Sequence, residues 1–240
     1  MIERIAKGST SPNARVIGVV YLLYFLTAFL GAFLTKGIVV PGEAAATANN
    51  ILAHESLYRS ALAVDLSANT LYILLTVFLY TLFEPVNQSM SLLAAFFSLV
   101  GCTVQIFGGL FRMAPLIILG NDPFLRVFTS EQLQAMALLF VRLHAQVFNV
   151  SFVLFALFDL LIGYLIVRST FLPRSLGALM MCAGAGWLTF LWPPLAASLS
   201  SYVLPFGALA EFSLMLWLIV KGVDTSRWQQ QASLRHVGIA

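Results

Sequence analysis

Charge is what this chain has least of. Asp, Glu, Lys and Arg make up only 10% of its 240 residues, where a soluble domain carries roughly 25%, and 60% of the chain is hydrophobic. Water does not solvate such a surface, so the solvent implied is lipid. Cysteine is nearly absent too. Cys102 and Cys182 stand alone in apolar runs, which excludes a disulfide framework and any CxxC site. Histidine occurs only as the widely separated His54, His144 and His236, too few in any one region for the clusters that hold a metal or a haem. No HExxH, GxSxG or GxxxxGK[ST] pattern occurs. An enzyme is therefore not expected, and neither a cofactor nor a metal is called for. The net charge of +3 arises from basic residues at the termini and in one loop, with no basic face for a nucleic acid to meet.

What is present is a series of long apolar runs. Six are placed by length, over residues 16–35, 57–83, 89–114, 129–167, 175–191 and about 200–220. The fold class expected is all-α: a polytopic membrane protein with a bundle of six transmembrane helices. One membrane domain, 16–220, sits between an N-terminal segment, 1–15, and a polar C-terminal tail, 221–240. The first run exceeds the 7–15 apolar residues of a typical signal sequence and is read as a retained helix. In the loop after it, Pro41-Gly42 makes a turn and the alanine-rich stretch 43–55 suits a short surface helix. Glu84-Pro85-Val86-Asn87 reads as a tight turn, and Thr129 with Gln132 three residues on fits a capping box. The third span is expected to stop at Pro115, and Pro205 to fall in the first turns of the sixth. The tail, with Trp228, Arg227 and Arg235, is read either as resting on the membrane surface or as disordered.

Six spans put both termini on one side. Arg4, Lys7, Arg15, Arg168, Arg174, Lys221, Arg227 and Arg235 mark that side as cytoplasmic, because basic residues collect there; only Lys36 and Arg126 fall in loops on the other.

Several short stretches resemble a known family. They are Arg15 to Tyr24 (RVIGVVYLLY), Leu57-Tyr58-Arg59-Ser60 followed by Asp65-Leu66, Tyr80 to Asn87 (YTLFEPVN), and Ser91 to Phe96 (SLLAAF). Together they are similar to the bacterial multi-pass membrane proteins grouped as domain of unknown function 4386, over most of residues 15–220. The resemblance implies a six-helix protein of the bacterial inner membrane and brings no activity with it.

Two carboxylates stand out within this apolar frame. Asp159 and Glu211 precede the basic stops Arg168 and Lys221 by nine and ten residues. At about 1.5 Å per residue both fall roughly 13–15 Å inside the membrane, near the midplane of a ~30 Å core. No Lys, Arg or His lies at that depth, so the protonated acid is the form such a site retains. The pair reads as a proton or cation site, or else as two neutral acids bonding the fourth helix to the sixth. A second group lies toward the outer ends of the second, third and fourth spans: Arg59, Asp65, Arg112, Arg142 and His144. These suggest an outward polar cup for a carboxylate, a phosphate or an anionic lipid headgroup, or else interfacial arginines paired with nearby acids. Supporting polar residues follow the same helix faces: Asn69 below Asp65, Gln105 below Arg112, and Gln146 and Asn149 below Arg142. Such stripes face protein and join helices, or line a cavity.

The function expected is binding or translocation of a small polar or ionic solute, linked to a proton or cation. The alternative is a non-transporting structural or sensory protein whose cup binds a lipid headgroup or a partner. Apart from the bilayer, a small molecule or an anionic lipid is the expected ligand, and a homo-oligomer stays open. The orientation is tested by single cysteines in a background lacking Cys102 and Cys182. An impermeant thiol reagent added to intact cells should label Cys at positions 122 and 198 and leave 87 and 233 unlabelled. The reverse pattern would invert the topology.

Overall fold

The structure is a computed structural model that describes residues 13–120 and 122–236, and side chains up to residue 234. Arg4, Lys7 and the side chain of Arg235, which helped set the orientation above, lie outside the described residues, as do 1–12 and 237–240 of the two terminal segments. Among the described residues eight α-helices follow one another: α1 (Ala14–Leu34), α2 (Ala44–Ala53), α3 (Glu55–Phe83), α4 (Gln88–Ile118), α5 (Ser130–Arg168), α6 (Arg174–Trp187), α7 (Pro193–Val220) and α8 (Thr225–His236). A 3₁₀ turn, Leu188–Leu191, continues α6. Among the described residues six stretches are long and apolar enough to cross a membrane: α1, α3, α4, α5, α6 with its 3₁₀ extension, and α7. There is no strand among the described residues. α1 shows the physical basis. Ile17, Tyr21 and Phe25 are buried on one stripe, whereas Leu26, Phe29 and Phe33 on the rest of its surface are more than half exposed, as a lipid-facing helix requires.

Several helix ends match their local sequence signals. Asn87 caps α4 by accepting from Met90 N at 3.0 Å. The capping box forms at α5, where Thr129 N donates to Gln132 Oε1 at 2.8 Å and Gln132 N to Thr129 Oγ1 at 3.3 Å. The alanine-rich helix α2 forms within the loop as expected. Two boundaries differ. α4 runs through Pro115 to Ile118, because a proline one turn from a helix end removes only one backbone bond. α7 begins at Pro193, so Pro193-Pro194 open this helix instead of closing the one before. Pro205 is consequently interior to α7, and not in its first turns.

The fold divides into two compact units. The first comprises the described residues of 1–22, 74–99 and 153–240. Here glycines let helix backbones touch. A Cβ on Gly163 of α5 would lie 2.7 Å from Gly177 O of α6, one on Gly177 would lie 2.6 Å from Gly163 O, and one on Gly184 would lie 2.7 Å from Ala156 O. α1 approaches α7 in the same way, Gly18 facing Ile219. Thr76 of α3 and Ser98 of α4 share a hydrogen bond of 2.6 Å.

The C-terminal tail is the principal correction in this unit. At Gly222, φ is +72°, and its N–H returns to Trp217 O at 2.9 Å, a left-handed turn that a side chain would strain. Asp224 then starts α8 by accepting from Ser226 Oγ at 2.5 Å and Arg227 N at 3.2 Å. The serine hydroxyl first, then the backbone amide, holds this carboxyl below the usual carboxylate range. Trp228 is buried, and its Nε1 donates to Leu82 O at 3.0 Å. Gln231 Oε1 accepts from both Thr170 N and Thr170 Oγ1 at 3.2 Å. The described part of the tail thus forms a helix that docks on the protein, because Trp228 finds both an apolar site and a carbonyl there.

The second unit comprises residues 23–73 and the described residues of 100–152. Ile38, Ile51 and Tyr58 form a small core with Leu116, Leu119 and Val141 packed against it. Thr47 Oγ1 both accepts from Val40 N and donates to Val40 O, which ties α2 to the loop before it.

The docking of α8 makes a prediction. Trp228→Ala should lower the melting temperature in detergent and expose a cysteine placed at Gln231 to thiol reagents. Trp228→Phe, which keeps the apolar contact and loses the N–H, should fall between the two. Unchanged melting and labelling in Trp228→Ala would show that the indole does not hold the helix.

Candidate intramembrane acid site

Asp159 and Glu211 lie in the first unit, on α5 and α7, and both are buried, at 0% and 3% exposure. The local sequence turns them inward. Asp159 falls on the stripe Phe155, Phe158, Ile162 and Ile166, and Glu211 on Gly207, Ala210, Leu214 and Leu218, all buried. The two carboxyls come within electrostatic reach of one another. A third group, which the sequence reading did not include, completes the site. Tyr21 of α1, 1% exposed, donates its hydroxyl to Glu211 Oε2 at 2.7 Å.

The two acids are held differently. Glu211 has the tyrosine donor. Both oxygens of Asp159 are buried without a hydrogen-bond partner among the described residues. An ionised Asp at the centre of a membrane helix costs roughly 2.5–3.5 kcal/mol even when partly relieved. With no donor to hold a negative charge, the protonated acid is the form this position accommodates.

The polar residues of the second unit are arranged otherwise, and the proposed cup is not assembled as one site. Arg112 Nη1 donates to Asp65 Oδ2, and the Arg112 guanidinium lies over the Tyr58 ring, 5.5 Å from its centroid. His144 joins this group. Its Nδ1 sits 3.0 Å from Gly108 O, and since a carbonyl only accepts, Nδ1 carries the proton. Arg59 is not part of it. It pairs with Glu55 on its own helix at 2.7 Å, with both side chains about half exposed. Arg142 is exposed and does not join the Asp65 pair. Arg112 pairs with Asp65 on another helix, and Arg59 with the residue one turn back on its own.

The supporting residues divide in the same way. Asn69 Nδ2 donates to Asp65 O at 2.9 Å within α3. Gln105 Nε2 bonds Ser151 Oγ of α5 at 2.9 Å, so this stripe does join helices. Gln146 is exposed and Asn149 half-buried, so the Arg142 face of α5 is not wholly turned to protein as expected. Among the described residues no group of three or more His, Cys, Asp and Glu is placed to hold a metal.

Tyr21 and Tyr58 were visible only as residues of short motifs. An aromatic with a polar tip in an apolar helix carries no signal of which distant acid or arginine it meets.

A family model described as Domain of unknown function (DUF4386) matches residues 16–222. No curated protein and no solved structure matches the chain.

The ion pair in the second unit predicts a coupling. In a double-mutant cycle on melting in mild detergent, Asp65→Asn and Arg112→Gln should show an interaction of about 1–3 kcal/mol, because one lost partner leaves the other charge half-buried and unpaired. Asp65→Asn combined with Arg142→Gln should be additive within about 0.5 kcal/mol. Strict additivity for the Arg112 cycle would mean that the pair contributes nothing.

Proposed function

This chain belongs to the DUF4386 family, whose description carries no activity, and we propose that it binds or translocates a small polar or ionic solute across the membrane it spans, with a proton or cation taken up at Asp159 and Glu211. The protein is a multi-pass integral membrane protein by its six apolar helices. The bacterial inner membrane with both termini cytoplasmic is the setting this reading adopts, and the role is not enzymatic.

One observation carries the proposal: a fully buried carboxyl, Asp159, with neither oxygen bonded and a second acid beside it. A residue kept to join helices would be expected to bond to one, as Gln105 does to Ser151 and Thr76 to Ser98. Asp159 meets no such partner, and its burial is costly, which favours a group that exchanges something over a group that only packs. The second reading, a non-transporting structural protein, draws on Glu211. Its bond to Tyr21 ties α1 to α7 and needs no transport to account for it.

Flux and melting on the same variants separate the two. Reconstituted wild-type protein should move protons, ions or small polar metabolites in a pH-dependent way, and Asp159→Asn should abolish the flux while melting within a few degrees of wild type. Absence of flux across a broad panel, with Asp159→Asn and Glu211→Gln both melting like wild type, would reduce the acids to packing groups.

A further inference from the structure

We infer that the ion taken up at this site is a proton and not a metal cation, with Asp159 as its exchangeable carrier and Tyr21 as the residue that positions Glu211. The inference rests on the proposed role of the acid site and deepens it.

The donor set is the first argument. A hard cation in a protein draws on about six or more oxygens, supplied by carboxylates, carbonyls and water. The described residues place three side chains here: two carboxyls and one phenol. The phenol already directs its O–H at Glu211 Oε2. Of the other buried polar side chains described in this unit, Thr76 and Ser98 bond each other, Ser91 bonds Tyr80 O and Ser169 bonds Ile166 O; Thr189 Oγ1, on the 3₁₀ turn after α6, is buried without a hydrogen-bond partner, and as a single neutral hydroxyl it does not complete a cation's shell. Backbone carbonyls beside Tyr21, Asp159 and Glu211 are engaged in helix bonds, and the one that Pro205 leaves without its N–H partner belongs to Ser201, well before Glu211 in α7. A proton needs none of these. It needs one carboxyl oxygen free of competing donors, and Asp159 has two.

Electrostatics is the second. Among the described residues, the helices that carry and flank the pair bring no compensating charge to its depth. On α6, Arg174 is exposed and lies at the helix start, and Cys182 is exposed. On α7, Tyr202 is three-quarters exposed, and Lys221 lies beyond the helix end. On α1, Tyr21 is the group that faces the acids, and on α5, Tyr164 and Arg168 are exposed. With both acids ionised, two negative charges would share a low-dielectric site with one neutral donor. One bound proton removes half of that charge. Tyr21 decides where the other half rests, because its O–H stabilises the anion on Glu211 and leaves the proton to Asp159. In the exchange, the O–H bond of Asp159 breaks as the proton passes to water or to a basic group of the solute, and it re-forms on return. No electron changes hands.

Infrared titration of the full chain in detergent tests this without a known solute. The C=O stretch of a protonated carboxyl should be present at neutral pH and vanish on alkalinisation. Asp159→Asn should remove it. Tyr21→Phe should keep the band but raise its midpoint or move it to a second frequency, because the anion on Glu211 loses its donor; a purely structural Tyr21 would leave the midpoint in place. The wild-type midpoint should be the same in choline, Li⁺, Na⁺, K⁺ and Ca²⁺ chlorides at equal ionic strength. A metal cation that binds the acids would compete with the proton and lower the midpoint in its own salt alone. That result, or a wild type with no such band, overturns the inference. Vesicle flux distinguishes it from the function it rests on. A titrating, cation-insensitive band without any flux leaves the proton site and defeats transport, whereas flux driven by a Na⁺ gradient with no proton movement keeps transport and defeats the proton.

Discussion

Lipid offers no hydrogen bonds, and this constraint organises the molecule at every level. Backbone groups have to be satisfied within each segment, so every described span is a helix. Apolar side chains gain little by leaving lipid for protein, so the helices cannot be held together by burial of leucine and phenylalanine alone. They meet where side chains are smallest. Gly163, Gly177 and Gly184 bring α5 and α6 to backbone contact, and Gly18 does so for α1 and α7. Small polar bonds such as Thr76 to Ser98 add direction to contacts that packing alone would leave able to slide.

The same constraint explains what was legible in the sequence. Span number and type follow from apolar length, and all six were placed. The capping box at Thr129, the turn at Pro85 and the short helix after Pro41 are local devices, encoded within a few residues. Boundaries near proline were less legible, since Pro193-Pro194 can close one helix or open the next, and only the packing of α7 decides. Trp228 was harder still. Its neighbours are polar, and the carbonyl it bonds, Leu82 O, lies far back in the chain.

Site residues divide along the same line. Depth along a helix is a one-dimensional property, and counting back from Arg168 and Lys221 set Asp159 and Glu211 at one level while leaving open whether they meet. Azimuth and partner choice are not. The five residues proposed for one cup share a level in the sequence reading, but Arg59 pairs with Glu55 and Arg142 is exposed, apart from the Asp65–Arg112 pair. Tyr21 sits near the other end of the chain from Glu211, and nothing local to either residue announces the bond between them.

Comparison among the buried polar groups gives the acid site its meaning. Thr76, Ser98, Gln105 and Ser151 are neutral, and each finds a partner, so their burial needs no further account. Arg112 and Asp65 are charged and find each other. Among the described residues Asp159 is ionisable, more deeply buried than any of the charged groups, and alone among the buried acids in lacking a donor. A protonated carboxyl can donate to a carbonyl as an amide can, and Asp159 makes no such bond among the described residues. What a carboxyl does that an amide cannot is gain and lose a proton. Glu211, held by Tyr21 and within reach of Asp159, gives the charge left behind a place to reside. The division into one bonded acid and one unbonded acid is therefore the feature from which a functional account of this protein starts.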